Sequence, residues 1–499
     1  MAHADPPVDH DGIAASLRAR LAAVDYSSDG IQAALRAHGP ATPLDTAVQL
    51  RRVAGRDARS VLIRLLYLST PIPQADADAA FAPLKLVDLK RIGVLSVDTG
   101  VVRPLVRLVP AHGLLIGADA AEAGIAPADH VPPPNPSSAM LAALTMREQV
   151  GSTLDLGCGS GLQALLAARH SDAVTAVDVN PRALAFTAFN AALNGIANIE
   201  LLEGDWLRPV GGRRFDLIVA NPPFVVSPDA TLLFRDAEQP GDRLCRTLVG
   251  EIPAHLETGG HALIMCDWGQ RAGEQWWEPI ERWVESTGCD AWILHFGTAD
   301  PVSYAASANW PLKAIDAVEF ERTLDRWIAY YRGSGIAELS SGAVVLRRRD
   351  GPNWRRMASV SVDLMAGCGG HVIRMLRGED LLAELADDER LLDAPIVPVE
   401  QHVIDQRLSW EEGEYRMERP AVRSISELGL AADVDVAVMQ TLLQLPTARS
   451  LRVAAVEAAT ALGLPAAEVR HVVLPAIRRL IQLGLVDRRA GDAGDAGNA

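Results

Sequence analysis

Between Thr153 and Pro223, apolar runs that end in glycine or acid alternate with segments of helical periodicity, and this alternation constrains the fold more than any other feature of the chain. The run Thr153-Leu-Asp-Leu enters a glycine turn, Gly157-Cys-Gly-Ser-Gly161. The spacing predicts a helix over 162–168, a strand at 174–178 closing on Asp178, a helix over 181–193 and a third strand at 199–202. A fourth strand, 215–220, runs into Asn221-Pro-Pro-Phe224. Strand and helix in turn call for a parallel, doubly wound α/β sheet. Such sheets bind ligands beyond the carboxyl ends of their strands, where the glycines, the acids and Asn221-Pro-Pro-Phe224 all fall.

The chemistry of that stretch is specific. Gly157, Gly159 and Gly161 stand two apart, and the dinucleotide pattern G-x-G-x-x-G would need glycine where Leu162 stands. A glycine turn lets backbone approach a ligand closely, and here it leads into a helix N-terminus. Asp178 follows Gly157 by 21 residues, where an acid can take two ribose hydroxyls. Turn and acid together describe a nucleoside pocket with less provision for a pyrophosphate. In Asn221-Pro-Pro-Phe224 the two prolines fix φ and lack N–H groups, so the corner is stiff and its carbonyls are free to accept. The Asn221 side-chain oxygen and the Pro222 carbonyl could accept the two N–H protons of a planar nitrogen, pushing its lone pair toward an electrophile. Phe224 could hold the flat group by stacking.

Asp155-x-Gly-x-Gly-x-Gly161, Asp178, Asp205 and Asn221-Pro-Pro-Phe224, in this order, resemble the class I S-adenosylmethionine (SAM) methyltransferases. Within that class they resemble the branch that methylates planar nitrogens: the release-factor glutamine methyltransferases of PrmC/HemK type, the small-domain rRNA guanine methyltransferases and the adenine-N6 enzymes. The resemblance covers residues 131–300 and implies a Rossmann-like, seven-stranded sheet with SAM as cofactor. It implies that Asp155, Gly157, Cys158, Gly159 and Gly161 form the turn that carries the methionine half. It places Asp178 and Val179 at the ribose, Asp205 at the adenine amino group and Trp206 over the adenine face, and it makes Asn221, Pro222, Pro223 and Phe224 the catalytic corner. Taken singly, each motif has a plainer reading as a tight turn, a solvated acid or a loop breaker. Four in order and spacing do not.

The 499 residues suffice for about three domains. A net charge of −16 does not suggest general attraction to polyphosphate. Residues 1–150 carry 14 of the 47 basic and 15 of the 63 acidic residues, so the excess acid lies downstream. The five cysteines form no C-x-x-C or histidine cluster, so free thiols and no metal are expected. The opening residues lack a signal-peptide pattern and no apolar run could span a bilayer, so a cytoplasmic protein without membrane contact is expected.

The expected domains are 1–130, helical and winged-helix-like; 131–350, the methyltransferase-like domain; and 351–499, α+β with a winged-helix-like end. In the first, residues 12–66 are helical by period, 84–95 form a helix closing on glycine, and 101–109 and 114–116 are strands. His130-Val-Pro-Pro-Pro-Asn-Pro-Ser-Ser138 has linker composition and leads to a short helix over 139–146 capped by Ser137 or Ser138. A polar loop is expected over 225–242, followed by a helix over 243–256. A fifth strand (259–266), a helix (276–287), a sixth strand (290–296) and an antiparallel seventh (336–349) complete the sheet. The helical insert 297–333 must lie beside the ligand face and is a candidate lid, with Trp310, Trp327, Tyr330 and Tyr331 its notable aromatics. Residues 1–11 and 491–499 are expected to be disordered tails.

The function that follows is methyl transfer to a planar nitrogen, foremost the glutamine amide of a release-factor-like protein. The alternatives are an exocyclic amine of adenine or guanine in RNA or DNA, a small adenine-type molecule, and a catalytically silent SAM-binding interaction protein. The partner is accordingly a protein or RNA, and the oligomeric state is left open.

Overall fold

The computed structural model describes residues 5–9, 12–35, 46–120, 127–229, 241–361, 367–425 and 427–489. The expected tail 491–499, most of 1–11 and the centre of the polar loop 225–242 lie outside the described residues. Contacts divide the chain into two compact units, residues 1–142 with 148–357, and residues 143–147 with 358–499.

The first unit is built on an eight-stranded sheet: β1 (Val150–Leu156), β2 (Ser171–Asp178), β3 (Ile199–Glu203), β4 (Phe215–Ala220), β5 (Leu256–Gln270), β6 (Cys289–Ala299), β7 (Glu338–Arg348) and β8 (Arg355–Ser359). Their order is 3-2-1-4-5-7-6-8. β3, β2, β1, β4 and β5 are parallel neighbours, and β7 is antiparallel to both β5 and β6. Seven of these strands are the expected ones; the eighth, charged Arg355–Ser359, is an added edge. The middles of the central strands are continuous buried apolar runs, Leu217–Ala220 in β4, Ala262–Cys266 in β5 and Ala343–Leu346 in β7, as strands covered on both faces require. The expected helix over 243–256 ends at Glu251 and tightens into a 3₁₀ turn, Ile252–His255, at Pro253.

The chain winds outward from β1 to β3 and returns to β4 on the other side of β1. The crevice at that reversal is where a doubly wound sheet binds its ligand.

Paired amides weld the N-terminal elements to one helix that covers this sheet, Pro181–Asn194. Asn190 and Asn194, one turn apart on it, each pair by their amide with a strand backbone. Asn190 accepts from Gly117 N–H at 2.7 Å and donates to Gly117 C=O at 2.8 Å, and Asn194 does the same at Leu115 at 3.0 and 2.8 Å. The i,i+4 rise of a helix is about 6 Å and the i,i+2 rise of a strand about 6.7 Å, so the two asparagines match alternate strand residues. That strand, Leu114–Asp119, forms a hairpin with Val106–Ala111. A smaller hairpin, Leu95–Asp98 with Val101–Pro104, turns at Thr99 and Gly100, both at positive φ as a two-residue turn needs. The expected single strand 101–109 is therefore two, broken at Leu105.

In the second unit three helices, Val436–Gln444, Leu451–Leu462 and Ala466–Gln482, lead to the short strand Val486–Arg488, which pairs with Ile396–Pro398. Arg452 and Arg470 both pair with Glu389, and Arg478 pairs with Asp388, so the acidic helix Asp388–Asp393 offsets the charge of these helices.

Candidate functional site

Four strand ends lie nearly level. Leu156 of β1 pairs with Val177 and with Ala220, and Asp178 pairs with Glu203. Gly157, Val179, Gly204 and Asn221 thus leave the sheet side by side, around a cleft of about 1000 Å³ including its open mouth.

The glycine turn forms the floor. Gly157, Gly159 and Gly161 have φ of 72°, 55° and 83°, a region that only glycine enters without strain. The N–H groups of Gly157 and Cys158 both bond Val177 C=O, at 2.9 and 3.1 Å, folding the turn over the end of β2. A Cβ on Gly161 would lie 2.8 Å from Thr187 and Leu165, whereas one on Gly159 would meet nothing, because that face is open. Gly161 precedes the helix Leu162–Ala167 and has no side chain to cap it. Asp155, buried at the end of β1, accepts Ala164 N–H at 2.9 Å in its place. Burial pushes the Asp155 carboxyl up to about 7, against the Ala164 hydrogen bond and with the charge of Asp178.

Asp178 closes β2 and is held from both sides: Gly159 N–H donates to one oxygen and Asn180 N–H to the other, each at 2.9 Å. Burial raises its pKa, and those N–H bonds oppose the rise. Beyond β3, Trp206 lies over the turn, 3.5 Å from where a Gly157 Cβ would stand. Asp205 beside it is half-exposed and reaches Arg208 at 3.6 Å. Cys158 is buried against Thr187, and burial pushes its thiol pKa up, which makes it a poor nucleophile.

The opposite wall is the segment of linker composition. Asn135 caps the helix Pro136–Leu144: its side-chain oxygen accepts Ser138 N–H at 2.9 Å, and Ser138 Oγ accepts Asn135 N–H at 2.9 Å, a reciprocal capping box. The cap is thus Asn135, not Ser137 or Ser138, and the helix starts three residues earlier than expected. Asn221 Nδ2 donates to Ser137 Oγ at 3.3 Å. Gln163 Nε2 donates to Ser138 C=O at 2.7 Å. The other ends of both amides, Asn221 Oδ1 and Gln163 Oε1, are buried without a partner. Buried acceptors are rarely left so, and both residues line the cleft, as donors on a ligand would require.

Behind the proline corner, the insert holds the chain in place. Its helices are Pro301–Ala308, Trp310–Ile315 and Ala317–Gly333. Tyr304 OH accepts Val226 N–H at 3.0 Å and donates to Asp267 at 2.6 Å, while Tyr331 OH donates to Val226 C=O at 2.7 Å. Arg326 and Trp327 both bond Asp229. Trp327 and Tyr331 are fully buried. The insert does lie by the ligand face, but its buried aromatics clamp residues 226–229, and only Trp310 stands well exposed.

Of the expected site residues, Gly157, Cys158, Gly159, Asp178, Val179, Asp205, Trp206, Asn221 and Pro223 line the cleft. Asp155 and Gly161 shape the turn from behind. Pro222 and Phe224 are not among the lining residues; Phe224 is half-buried and packs, as Trp206 does, against the core that includes residues of β4 and β5. Sequence reasoning missed Asn135, the contact of Ser137 with Asn221, and Gln163. The signal for Gln163 was present: a lone amide in the apolar helix Leu162-Gln-Ala-Leu-Leu-Ala. Among the described residues no group of three or more His, Cys, Asp or Glu could hold a metal, and no helix is long and apolar enough to cross a membrane.

A doubly wound sheet in 3-2-1-4-5-7-6 order, with a glycine turn, a strand-end acid and a proline corner about its switch point, defines a class I methyltransferase domain. Residues 134–272 match the family model described as methyltransferase small domain, and residues 23–105 match one described as a domain of unknown function. A release factor glutamine methyltransferase of Xylella fastidiosa is 39% identical over 130 residues, 24% of this chain and 47% of that protein. The Escherichia coli protein of the same name is 37% identical over 111 residues, 22% and 40% of the two chains. A ribosomal RNA small subunit methyltransferase C of Alcanivorax borkumensis is 34% identical over 110 residues, 22% and 30%. The chain spans about half the length, or less, of these relatives.

Proposed function

We propose that this protein transfers a methyl group from SAM to a planar nitrogen, the amide of a glutamine in a protein substrate. The observation that carries the reading is Asn221 Oδ1: buried, unpartnered and on the cleft wall, level with the glycine turn. An acceptor so placed suits an N–H donor.

The residues present fit SAM. Asp178 keeps lone pairs for ribose hydroxyls beside the two N–H groups that orient it, Asp205 offers a half-exposed carboxylate to an adenine amine, and Trp206 offers an aromatic face. The open side of Gly159 admits the methionine half, whose ammonium group would satisfy Gln163 Oε1. Bound SAM supplies a methyl group made electrophilic by its sulfonium. The rest is positioning. An amide nitrogen is a weak nucleophile because its lone pair is delocalised; accepting its N–H at Asn221 Oδ1 orients the group and returns electron density to the nitrogen. The proton shed after transfer leaves to water at the mouth. No strong base is needed, and preorganised dipoles account for most of the rate gain.

The release-factor relatives favour a protein glutamine, and the net charge of −16 suits a protein more than a polyphosphate. Incubating the protein with tritiated SAM and a cell extract, then digesting with protease or RNase, tests this. Label released by protease alone is the expected result. Label released by RNase would move the acceptor to a base amine, and no label would leave a SAM-binding interaction protein.

A further inference from the structure

The two ends of an asparagine amide differ only in their hydrogens, so its orientation is set by the partners it finds. At Asn221 those partners form a relay with a fixed direction. The relay starts at Ser138 N–H, a backbone donor that cannot reverse. It points at the Asn135 side chain at 2.9 Å, so the atom it meets must be the amide oxygen. Ser137 Oγ lies 2.8 Å from that same oxygen, which only accepts, so the hydroxyl hydrogen of Ser137 is committed to it. With its one hydrogen spent, Ser137 Oγ can only accept from Asn221, 3.3 Å away, and the Asn221 atom facing it must be Nδ2. The oxygen is then the end of the amide left without a partner, buried in a residue that lines the cleft.

We propose that Ser137, oriented by Asn135, is the positioning residue that sets the polarity of Asn221, so that the site selects acceptors carrying an N–H and disfavours those presenting a lone pair at that point. The inference rests on the methyl-transfer reading and deepens it. Asn135 is held as the cap of its helix, and Gln163 fastens Ser138, the donor that starts the relay, so that start does not depend on a bound ligand. Without the Ser137 oxygen the Asn221 amide is free to turn over. Half of its orientations then present N–H to an N–H donor.

The test uses the full-length protein, tritiated SAM and a protein extract as acceptor, with initial rates at saturating SAM and SAM affinity measured separately by calorimetry. Ser137→Ala should lower the rate roughly 3- to 10-fold, the worth of about one hydrogen bond, and leave SAM affinity unchanged. Ser137→Thr, which keeps the oxygen, should recover most of the rate. Wild-type rate in Ser137→Ala, a Ser137→Thr protein as slow as Ser137→Ala, or SAM affinity falling in step with the rate would each overturn the relay. Absence of transfer by the wild-type protein would instead overturn the methyl-transfer reading, and the relay with it.

Discussion

Asp178 and Asp155 stand a few ångströms from the same turn and do different work. Asp178 faces the cleft, so Asp178→Ala should weaken SAM binding by roughly 10- to 100-fold, the range for hydrogen bonds to a charged group; unchanged affinity in a calorimetric titration would remove it from the ribose. Asp155 faces inward, and its pKa of about 7 lies above the ordinary carboxylate value. A carboxyl raised on folding contributes stability that is full below about pH 4 and lost as pH rises through about 7. Asp155→Asn keeps the oxygen that accepts Ala164 N–H and cannot ionise. It should melt like the wild type at about pH 4 and above it at about pH 8.5, and an offset equal at both would contradict the assignment. Both acids stood out in the sequence, Asp178 because it terminates an apolar strand and Asp155 because it interrupts one just before the glycine turn. Gln163 showed only as a lone amide on an apolar helix, since its partner Ser138 lies 25 residues away, and Asn135 was hidden inside a proline-rich run that reads as a linker.

At the level of elements, the insert 297–333 matters through what it grips. Its position beside the ligand face followed from strand direction, but whether its aromatics move or pack depends on three-dimensional neighbours that helical spacing does not specify. The hydroxyls of Tyr304 and Tyr331 hold both polar groups of Val226, three residues past Pro223. Tyr331→Phe leaves a buried carbonyl unpaired, which should cost about 1–3 kcal/mol, loosen residues 224–229 in hydrogen exchange and slow transfer more than it weakens SAM binding. Exchange unchanged at Val226 would show that the clamp does not hold the corner. The edge strand Arg355–Ser359 escaped notice for a different reason: its charged residues lack the apolar alternation by which the other seven were found. The weld of Asn190 and Asn194 to the Leu114–Asp119 strand was equally hidden, because asparagines on a helix give no sign of pairing with a strand.

The whole chain comprises two compact units, and the cleft lies within the first. A ligand that binds one folded unit stabilises that unit, by about 2.7 kcal/mol at a hundredfold excess over Kd. SAM should therefore shift the calorimetric transition of the first unit upward and leave a second transition in place; a uniform shift of one cooperative transition would show that the units unfold together. In the proposed mechanism Asn221 directs its oxygen at an acceptor nitrogen. The most direct measurement is methyl transfer by Asn221→Ala beside SAM affinity for the same protein. A rate lowered about 100-fold or more with SAM binding within about threefold of wild type is the predicted result, in line with removal of a preorganised transition-state contact. Transfer at the wild-type rate would contradict it.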